Sequence, residues 1–300
     1  MEYVILDLEW NGTFSKKLKG FFNEIIEFGA VRLDHTLKRL DSFSMLVRPQ
    51  IGKRISGKVK TLTNISNEEL DLGAPFTQVL SKFRRFLGDA VLMTWGTSDI
   101  LALMENNRYY TGSDRMPFLR RYVDLQKYCE RKLYYEPGKQ MGLSTAAQLL
   151  GIDEEGVEHH RALEDSLLSA ECLRRLYDPQ ALEGFIQDAA CDEFYRRMNF
   201  KTIILCDLNH PLIRRADMSF NCDLCGRRAR RVSEWDLKNK SYRALFRCEH
   251  CRHEFRGRIQ FKLKYEGVVV KKKIAPLQQE TEDLTDDGHP GEDGACSQDG

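Results

Sequence analysis

The sequence lacks any run of 18 or more apolar residues, the length that a helix needs to cross a lipid bilayer. Its longest candidate stretch, Ala90 to Met104, is broken by Asp99. The sequence also lacks the basic region and the cleavage site of a secretory signal, because Met1 and Glu2 lead directly into the strand-like segment Tyr3 to Leu6. We therefore expect no contact with a membrane and a location in the reducing cytoplasm, where cysteines serve as thiols or metal ligands more often than as crosslinks.

The chain also has almost no net charge, with 46 Lys and Arg against 45 Asp and Glu among 300 residues. A nucleic-acid-binding protein is usually basic, so the total alone argues against such a partner. The charges are segregated along the chain, however. Residues 1–200 hold 27 basic and 29 acidic residues, residues 201–277 hold 19 basic and 8 acidic residues, and residues 278–300 hold 8 acidic residues and no basic one. The near-neutral total is a cancellation.

The first 180 residues alternate strand and helix patterns, which predicts an α/β domain with a mixed sheet. Four strands are predicted, at Tyr3 to Trp10, Glu24 to Asp34, Phe43 to Val47 and Ala90 to Thr94. Helices are predicted from Ser66, from Pro75 to Leu87, from Asp99 to Met104, from Tyr122 to Tyr128, from Leu143 to Leu150 and from Ala162 to Leu176.

Two acidic residues stand close together in the first predicted strand. Asp7 and Glu9 are two positions apart and share one face of the strand, while Val4, Leu6 and Leu8 point to the other. Two adjacent carboxylates repel each other, and a hard cation such as Mg²⁺ or Mn²⁺ would neutralise them. Alternatively, they lie on the solvated face of an edge strand, because so short a motif is frequent.

Further candidates lie at two predicted helix starts. Asp99 follows a buried strand and the turn Trp95-Gly96-Thr97-Ser98, and a helix N-cap is its alternative role. His160 and Asp165 are five positions apart, about 140° on a continuous helix, so they converge only if His160 lies in a loop and Asp165 in the helix. Taken singly, a histidine such as His160 is more often a surface residue than a catalytic one.

The three motifs follow one another in a fixed order. Asp-x-Glu comes first, Trp-Gly-x-x-Asp follows about 90 residues later, and His-Arg-Ala-Leu-x-Asp begins the last long helix. In this order they resemble the DEDDh family of 3′-to-5′ exonucleases, which are DnaQ-like with a ribonuclease H-like fold. Glu24 to Val31 is similar to the family's second strand, and Leu62 to Ser66 with Ala74 to Phe76 is similar to the helix entry after its third. The resemblance covers about 180 of the 300 residues.

The resemblance implies a mechanism with two Mg²⁺ or Mn²⁺ ions. Asp7, Glu9 and Asp165 would bind the first ion, Asp7 would also bind the second, and Asp99 would help to hold the pair. His160, rather than the adjacent His159, would act as the general base, and the products would be 5′-mononucleotides. Leu8 and Trp10 resemble positions that line the family's terminal-nucleotide pocket, although Trp10 is equally well explained as a core residue.

Four cysteines near the C-terminus form a second candidate metal site. Cys222 and Cys225 make one Cys-x2-Cys pair, Cys248 and Cys251 make another, and 22 residues separate the pairs. Two such turns complete a tetrahedral site of four thiolates, which selects one structural Zn²⁺. The spacer is predicted to be a hairpin with strands at Val232 to Trp235 and Tyr242 to Phe246. Alternative ligands are not excluded by spacing: His250, His253, Cys206 and His210.

The residues after the second cysteine pair alternate between apolar and basic side chains. Ile259, Phe261 and Leu263 interleave with Arg258, Gln260, Lys262 and Lys264, which predicts a strand with one packed and one basic face. A basic face of this kind suits phosphates. Alternatively, it is a solvated surface, or the ribbon binds a protein partner.

Together, the sequence predicts an α/β ribonuclease H-like mixed sheet flanked by helices, plus a small C-terminal β-rich zinc ribbon. We assign residues 1–180 to the exonuclease domain, 181–205 to a connecting helix or linker, 206–275 to the basic zinc ribbon and 276–300 to an acidic disordered tail. The predicted partners are single-stranded 3′ ends, with RNA favoured over DNA because the Trp-Gly-Thr-Ser-Asp form is most similar to the branch that trims histone mRNA and small RNAs. The alternatives are a DNA proofreading or repair exonuclease, and a regulatory or scaffold protein.

Overall fold

The computed structural model describes residues 1–52, 54–136, 139–153 and 161–277. Contacts within the chain divide it into two units, Met1–Met198 and a second that begins at Asn199. Over these described ranges, no helix combines the length and the apolar character that crossing a membrane requires.

The first unit is built on a mixed sheet of six strands. They are β1 (Tyr3–Ser15), β2 (Gly20–Leu33), β3 (Arg39–Leu46), β4 (Val91–Thr94), β5 (Arg121–Asp124) and β6 (Gln187–Asp188). The strands lie in the order β3-β2-β1-β4-β5-β6. The pairs β1–β4 and β4–β5 are parallel and the others antiparallel. The three long strands therefore form a meander at one side of the sheet.

Helices cover both faces of this sheet. They are α1 (Gly57–Thr63), α2 (Asn67–Asp71), α3 (Phe76–Leu87), α4 (Ser98–Thr111), α5 (Leu125–Lys132), α6 (Leu143–Leu149), α7 (Ala162–Leu176), α8 (Pro179–Glu183) and α9 (Asp192–Asn199). Val4, Leu6 and Leu8 of β1 pack into a core with α3 and α4. Tyr3 and Ile5 pack into a second core with α5, α6 and α7. Because successive side chains of β1 point to opposite faces of the sheet, the strand contributes to both cores and lies between them.

Beyond the bounds of single strands, the structure differs from the sequence prediction in the following elements of this unit. Tyr122 and Val123 lie in β5, and only then does Asp124 cap α5 by accepting the Lys127 N–H at 3.1 Å. Helix α4 runs on to Thr111 because the amide of Asn106 is buried and hydrogen-bonded to backbone carbonyls. Residues 181–198 belong to this unit rather than to a linker, since β6 pairs with β5 and Phe194 of α9 is buried in the first core.

The second unit is rich in β-structure. Its strands are β7 (Ile203–Leu205), β8 (Phe220–Asn221), β9 (Arg228–Arg231), β10 (Asp236–Lys238), β11 (Ser241–Arg247), β12 (Glu254–Lys264) and β13 (Gly267–Ala275), with a 3₁₀ turn at Arg215–Met218. They are ordered β13-β12-β11-β9-β8, with β10 pairing with β11 and β7 with β12. Phe246, Phe255 and Phe261 fill its own apolar core. The predicted fold class is confirmed for both units.

The predicted hairpin within the second unit is present, but its first strand was placed wrongly. Asn239 and Lys240 both have positive φ and form the turn between β10 and β11. The predicted strand at Val232 to Trp235 is not a strand. The Ser233 hydroxyl accepts the Leu245 N–H at 2.9 Å, so a side chain replaces the backbone acceptor there and interrupts the ladder.

Candidate functional site

Three of the predicted acidic residues converge in space. Oxygen atoms of Asp7, Glu9 and Asp165 lie within 4.8 Å of one another. Asp7 and Glu9 project from the same face of β1, and Asp165 lies in the first turn of α7. As the sequence predicted, Asp7 and Glu9 converge because alternate residues of a strand share a face, and Asp165 joins them from the start of a helix.

Asp99 lies beside this cluster but is held differently. It is buried in the first turn of α4, and its Oδ1 accepts the backbone N–H of Leu8 at 3.0 Å. This hydrogen bond ties the start of α4 to the backbone between Asp7 and Glu9. The helix is preceded by Thr97 rather than capped by Asp99, so the N-cap alternative is wrong.

The carboxylates destabilise one another's charged form. Removal from water, together with the charges of Asp99 and Asp165, raises the pKa of Asp7 well above its ordinary value. Removal from water and the charge of Asp165 raise the pKa of Glu9 to about 8. Burial also raises the pKa of Asp99. A set of carboxylate oxygens in this state fits a hard divalent cation, which would satisfy all of them in the charged form.

Glu27 and Arg161 are site residues that the sequence argument missed. Glu27 lies opposite Glu9 in the β1–β2 register and is 1% exposed. Its carboxylate accepts the Arg161 Nη2 hydrogen at 2.8 Å and the backbone N–H of Ala162 at 3.1 Å. The pair therefore fastens the start of α7 to β2. The sequence did contain an indication of this role, because Glu27 is a charged residue within the otherwise apolar segment of β2.

The start of α7 also rests directly on the backbone of β2. The Ser166 hydroxyl lies 2.9 Å from the carbonyl oxygen of Gly29 and 2.8 Å from that of Ala162, so it can donate its hydrogen to either. Gly29 lies opposite Asp7 in the register, so the strand that faces Asp7 is the one against which α7 packs. This placement brings Asp165 to the Asp7 side of the sheet.

The remaining predicted residues of this site fall into two groups. His160 and His159 lie outside the described residues, so the role of His160 as a base stays a prediction. Leu8 is 3% exposed and packs into the first core, so its side chain does not face solvent as a nucleotide contact would. Trp10 is half-buried against the same core and follows an irregularity in the β1–β2 register, and its role also stays a prediction.

The four cysteines form a compact group in the second unit. The sulfur atoms of Cys222, Cys225, Cys248 and Cys251 lie within 4.8 Å of one another, and the Cys225–Cys248 distance is 3.4 Å. Each turn is closed by a residue with positive φ, Gly226 in the first and Arg252 in the second. The arrangement is compatible with zinc.

The alternative ligands are not part of this group. Neither Cys206, His210, His250 nor His253 joins the four sulfurs among the described residues. The imidazole of His253 instead lies 3.1 Å from Asp223 and stacks on Phe255. The backbone N–H of Cys251 lowers the pKa of the Cys248 thiol to about 6, whereas removal from water and hydrogen bonds with the neighbouring thiols raise the pKa of the Cys251 thiol to about 12. A bound cation would favour the thiolate form of all four cysteines.

The mixed sheet with converging carboxylates defines a nuclease domain of the ribonuclease H-like class. Residues 4–173 match the model of the Exonuclease family, RNase_T, and the chain belongs to that family. The predicted family is therefore confirmed. DEDDh exonucleases use divalent metal ions, and the acidic cluster offers the matching donors.

The chain is similar to several named proteins. It is 31% identical over 155 residues to 3′-5′ exoribonuclease 1 of Homo sapiens, covering 49% of this chain and 44% of that protein. It is 28% identical over 187 residues to the probable 3′-5′ exonuclease KapD of Bacillus subtilis, covering 60% of this chain and 87% of KapD. It is 31% identical over 187 residues to the PolC-type DNA polymerase III of Clostridium perfringens, covering 62% of this chain but only 12% of that protein.

Solved structures of 3′-exonucleases are similar to the chain in both fold and sequence. The nuclease domain of 3′hExo, described as a DEDDh family member bound to rAMP, matches with a TM-score of 0.53 and 27% identity. The match covers 63% of this chain and 96% of that domain. The similarity thus spans almost a whole nuclease domain.

Proposed function

We propose that the protein is a metal-dependent 3′-to-5′ exonuclease that shortens single-stranded nucleic acid, preferably RNA, and releases 5′-mononucleotides. The observation that carries this proposal is the convergence of Asp7, Glu9 and Asp165 within 4.8 Å in a member of the Exonuclease family. Acidic clusters are common in proteins. This cluster is informative because its residues lie on the strand and the helix that the family motif specifies.

Each carboxylate has a role that its position supports. Asp7, Glu9 and Asp165 would hold one divalent cation, and Asp7 would share in holding a second. When bound, such cations supply a water of lowered pKa and positive charge for the phosphodiester. Asp99 has one oxygen engaged by the Leu8 N–H, which fixes the orientation of its carboxylate toward the cluster.

The proton acceptor in this mechanism is His160. Its assignment rests on the spacing to Asp165 in the family motif, which His159 does not share. Arg161 follows it directly in the sequence and is held by Glu27, so the chain is anchored one residue away. His160→Ala should reduce turnover far more than its matched control, His159→Ala, and equal losses would contradict the assignment.

The cysteine group serves a structural purpose in this proposal. One Zn²⁺ held by Cys222, Cys225, Cys248 and Cys251 would join the turn before β9 to the turn before β12. The second unit has a modest apolar core, so a bound ion would contribute strongly to its folding. No step of the hydrolysis uses this ion.

We favour RNA over DNA as the substrate because of two similar proteins. One is named an exoribonuclease, and one solved structure contains rAMP. A DNA substrate is the second candidate, because the PolC-type DNA polymerase III of Clostridium perfringens aligns over the same region. The 2′-hydroxyl is what a binding pocket must read to separate them.

The deciding experiment compares matched oligonucleotides. Single-stranded RNA and DNA of one sequence, labelled at the 5′ end, would be incubated with the full chain and Mg²⁺. The proposal predicts stepwise shortening from the 3′ end, nucleoside 5′-monophosphates as products, and faster loss of RNA. Faster loss of DNA would favour the second candidate, and loss of neither would favour a regulatory or scaffold role.

A further inference from the structure

Three basic residues stand in one row across the sheet of the second unit. In the β11–β12 register Arg243 lies opposite Arg258, and in the β12–β13 register Arg258 lies opposite Lys273. Directly opposed residues on neighbouring strands point to the same face of a sheet. The three side chains therefore form a continuous line of positive charge across three strands.

The row is part of a larger basic face. Along β12 the same face also carries Arg256, Gln260, Lys262 and Lys264, and β13 adds Lys271. The opposite face carries Phe255, Ile259 and Phe261, which are buried in the core. The alternation of β12 thus places every one of its basic residues on the side that faces away from the core.

This arrangement is unfavourable for the isolated fold. Like charges directly opposite each other on neighbouring strands destabilise a sheet. Among the described residues, no acidic side chain forms an ion pair with Arg243, Arg258 or Lys273. Asp236 lies opposite Arg243 on β10 but does not pair with it, and the Nε atom of Arg243 is buried without a hydrogen-bond partner. Within the part of the chain that the structure describes, the row therefore keeps its positive charge, and an anion from outside that part would neutralise it.

We propose that this basic face binds the phosphate backbone of single-stranded nucleic acid. The proposal deepens the proposed function, on which it rests for the kind of anion. Successive same-face side chains on a strand are about 7 Å apart, so the face offers charges at regular intervals to a chain of phosphates. No aromatic side chain lies on this face of β11, β12 or β13, so it would contact phosphates without reading bases.

Binding would be measured for the full chain in an Asp7→Asn background, which prevents degradation of the probe. The probe is a single-stranded 20-nucleotide RNA with a fluorescent label, and anisotropy gives Kd between 50 and 200 mM KCl. The variant Arg243→Gln, Arg258→Gln, Lys273→Gln removes the row. The matched control removes three exposed charges from the first unit: Lys38→Gln, Lys82→Gln, Arg85→Gln.

The row variant should weaken binding roughly tenfold or more at 100 mM KCl and reduce the slope of log K against log salt by about 2, since each phosphate contact on a single strand contributes about 0.7. The control should change neither beyond the general effect of net charge. Equal behaviour of the two variants would overturn the proposal. If the row variant fails to fold, Arg258→Gln with Lys273→Gln keeps the half-buried Arg243 and should reduce the slope by about 1.4.

Two further arms separate this proposal from its alternatives. Unlabelled RNA should displace the probe far better than polyglutamate of equal charge, and equal displacement would assign the face to an acidic protein instead. In a separate arm, the unaltered chain is incubated with the same RNA and Mg²⁺, which tests the proposed function independently of the binding measurement. Absence of hydrolysis even in the unaltered chain would refute the proposed function while leaving the binding result intact.

Discussion

Gly29 of β2 lies directly against Ala162 of α7, and a Cβ atom on Gly29 would be 2.0 Å from the Ala162 carbonyl carbon. No side chain fits at this position unless the helix moves. Because Gly29 faces Asp7 in the β1–β2 register and Asp165 lies one turn along α7, this close approach sets the distance between the two carboxylates.

Gly29→Ala should therefore damage both stability and activity. Overpacking of this kind costs about 1–3 kcal/mol, and a shift of about 1 Å at a catalytic group reduces the rate roughly 100-fold. Denaturant unfolding and nuclease rates would measure the two effects. Gly57→Ala is the matched control, because a Cβ atom on Gly57 meets nothing within 4 Å. Similar losses in both variants would show that α7 does not depend on this contact.

Glu27→Gln should loosen the start of α7 without removing a metal ligand. Breaking a fully buried pair costs about 3–5 kcal/mol, and since Arg161 is 28% exposed we expect roughly 1–3 kcal/mol. Turnover should fall while the affinity for divalent cations changes little. Glu171→Gln, which breaks exposed pairs on the same helix with Arg174 and Arg175, should cost less than about 0.5 kcal/mol. An unchanged rate in Glu27→Gln would refute a positioning role.

The metal-free protein should become less stable as the pH rises. The folded pKa of Glu9 is about 8, above its ordinary value near 4.5, so the folded state retains a proton that the unfolded state loses. The associated stability is complete below pH ~4.5 and disappears as the pH passes about 8. The melting temperature should therefore fall between pH 6 and 8, and Mn²⁺ or Mg²⁺ should restore it more at pH 8 than at pH 6. Glu9→Gln should make the melting temperature depend less on pH, whereas Glu183→Gln, which alters an exposed residue, should leave the dependence unchanged. A melting temperature that rises with pH would contradict the proposed charge repulsion.

Cys248→Ser should abolish zinc binding and loosen the second unit alone. Loss of one thiolate opens the tetrahedral site, so zinc content should fall from one per chain toward zero. Amide hydrogen exchange should accelerate in β8 to β13 and remain slow in β1 to β5. Cys191→Ser, which alters a cysteine outside the group, should keep its zinc. Full zinc retention by Cys248→Ser would point to another ligand set.

Local patterns were sufficient to predict much of this molecule. The two-residue period placed Asp7 and Glu9 on one face, the helix start placed Asp165, and the cysteine spacing gave the four sulfurs. The Glu27–Arg161 pair joins positions 134 residues apart and could not be seen without knowing which strand lies under α7. The strand misplaced at Val232 to Trp235 has a similar cause, because the Ser233 hydroxyl takes a distant backbone donor that no local pattern shows.

The most direct test of the acidic cluster is hydrolysis of a 5′-labelled single-stranded RNA by the unaltered chain, Asp7→Asn and Asp71→Asn. Asp71 is an exposed residue at the end of α2 and serves as the matched control for charge. With Mg²⁺, the unaltered chain and Asp71→Asn should shorten the RNA from its 3′ end, and Asp7→Asn should not. Shortening by Asp7→Asn at the rate of the unaltered chain, or shortening that does not depend on a divalent cation, would contradict the site.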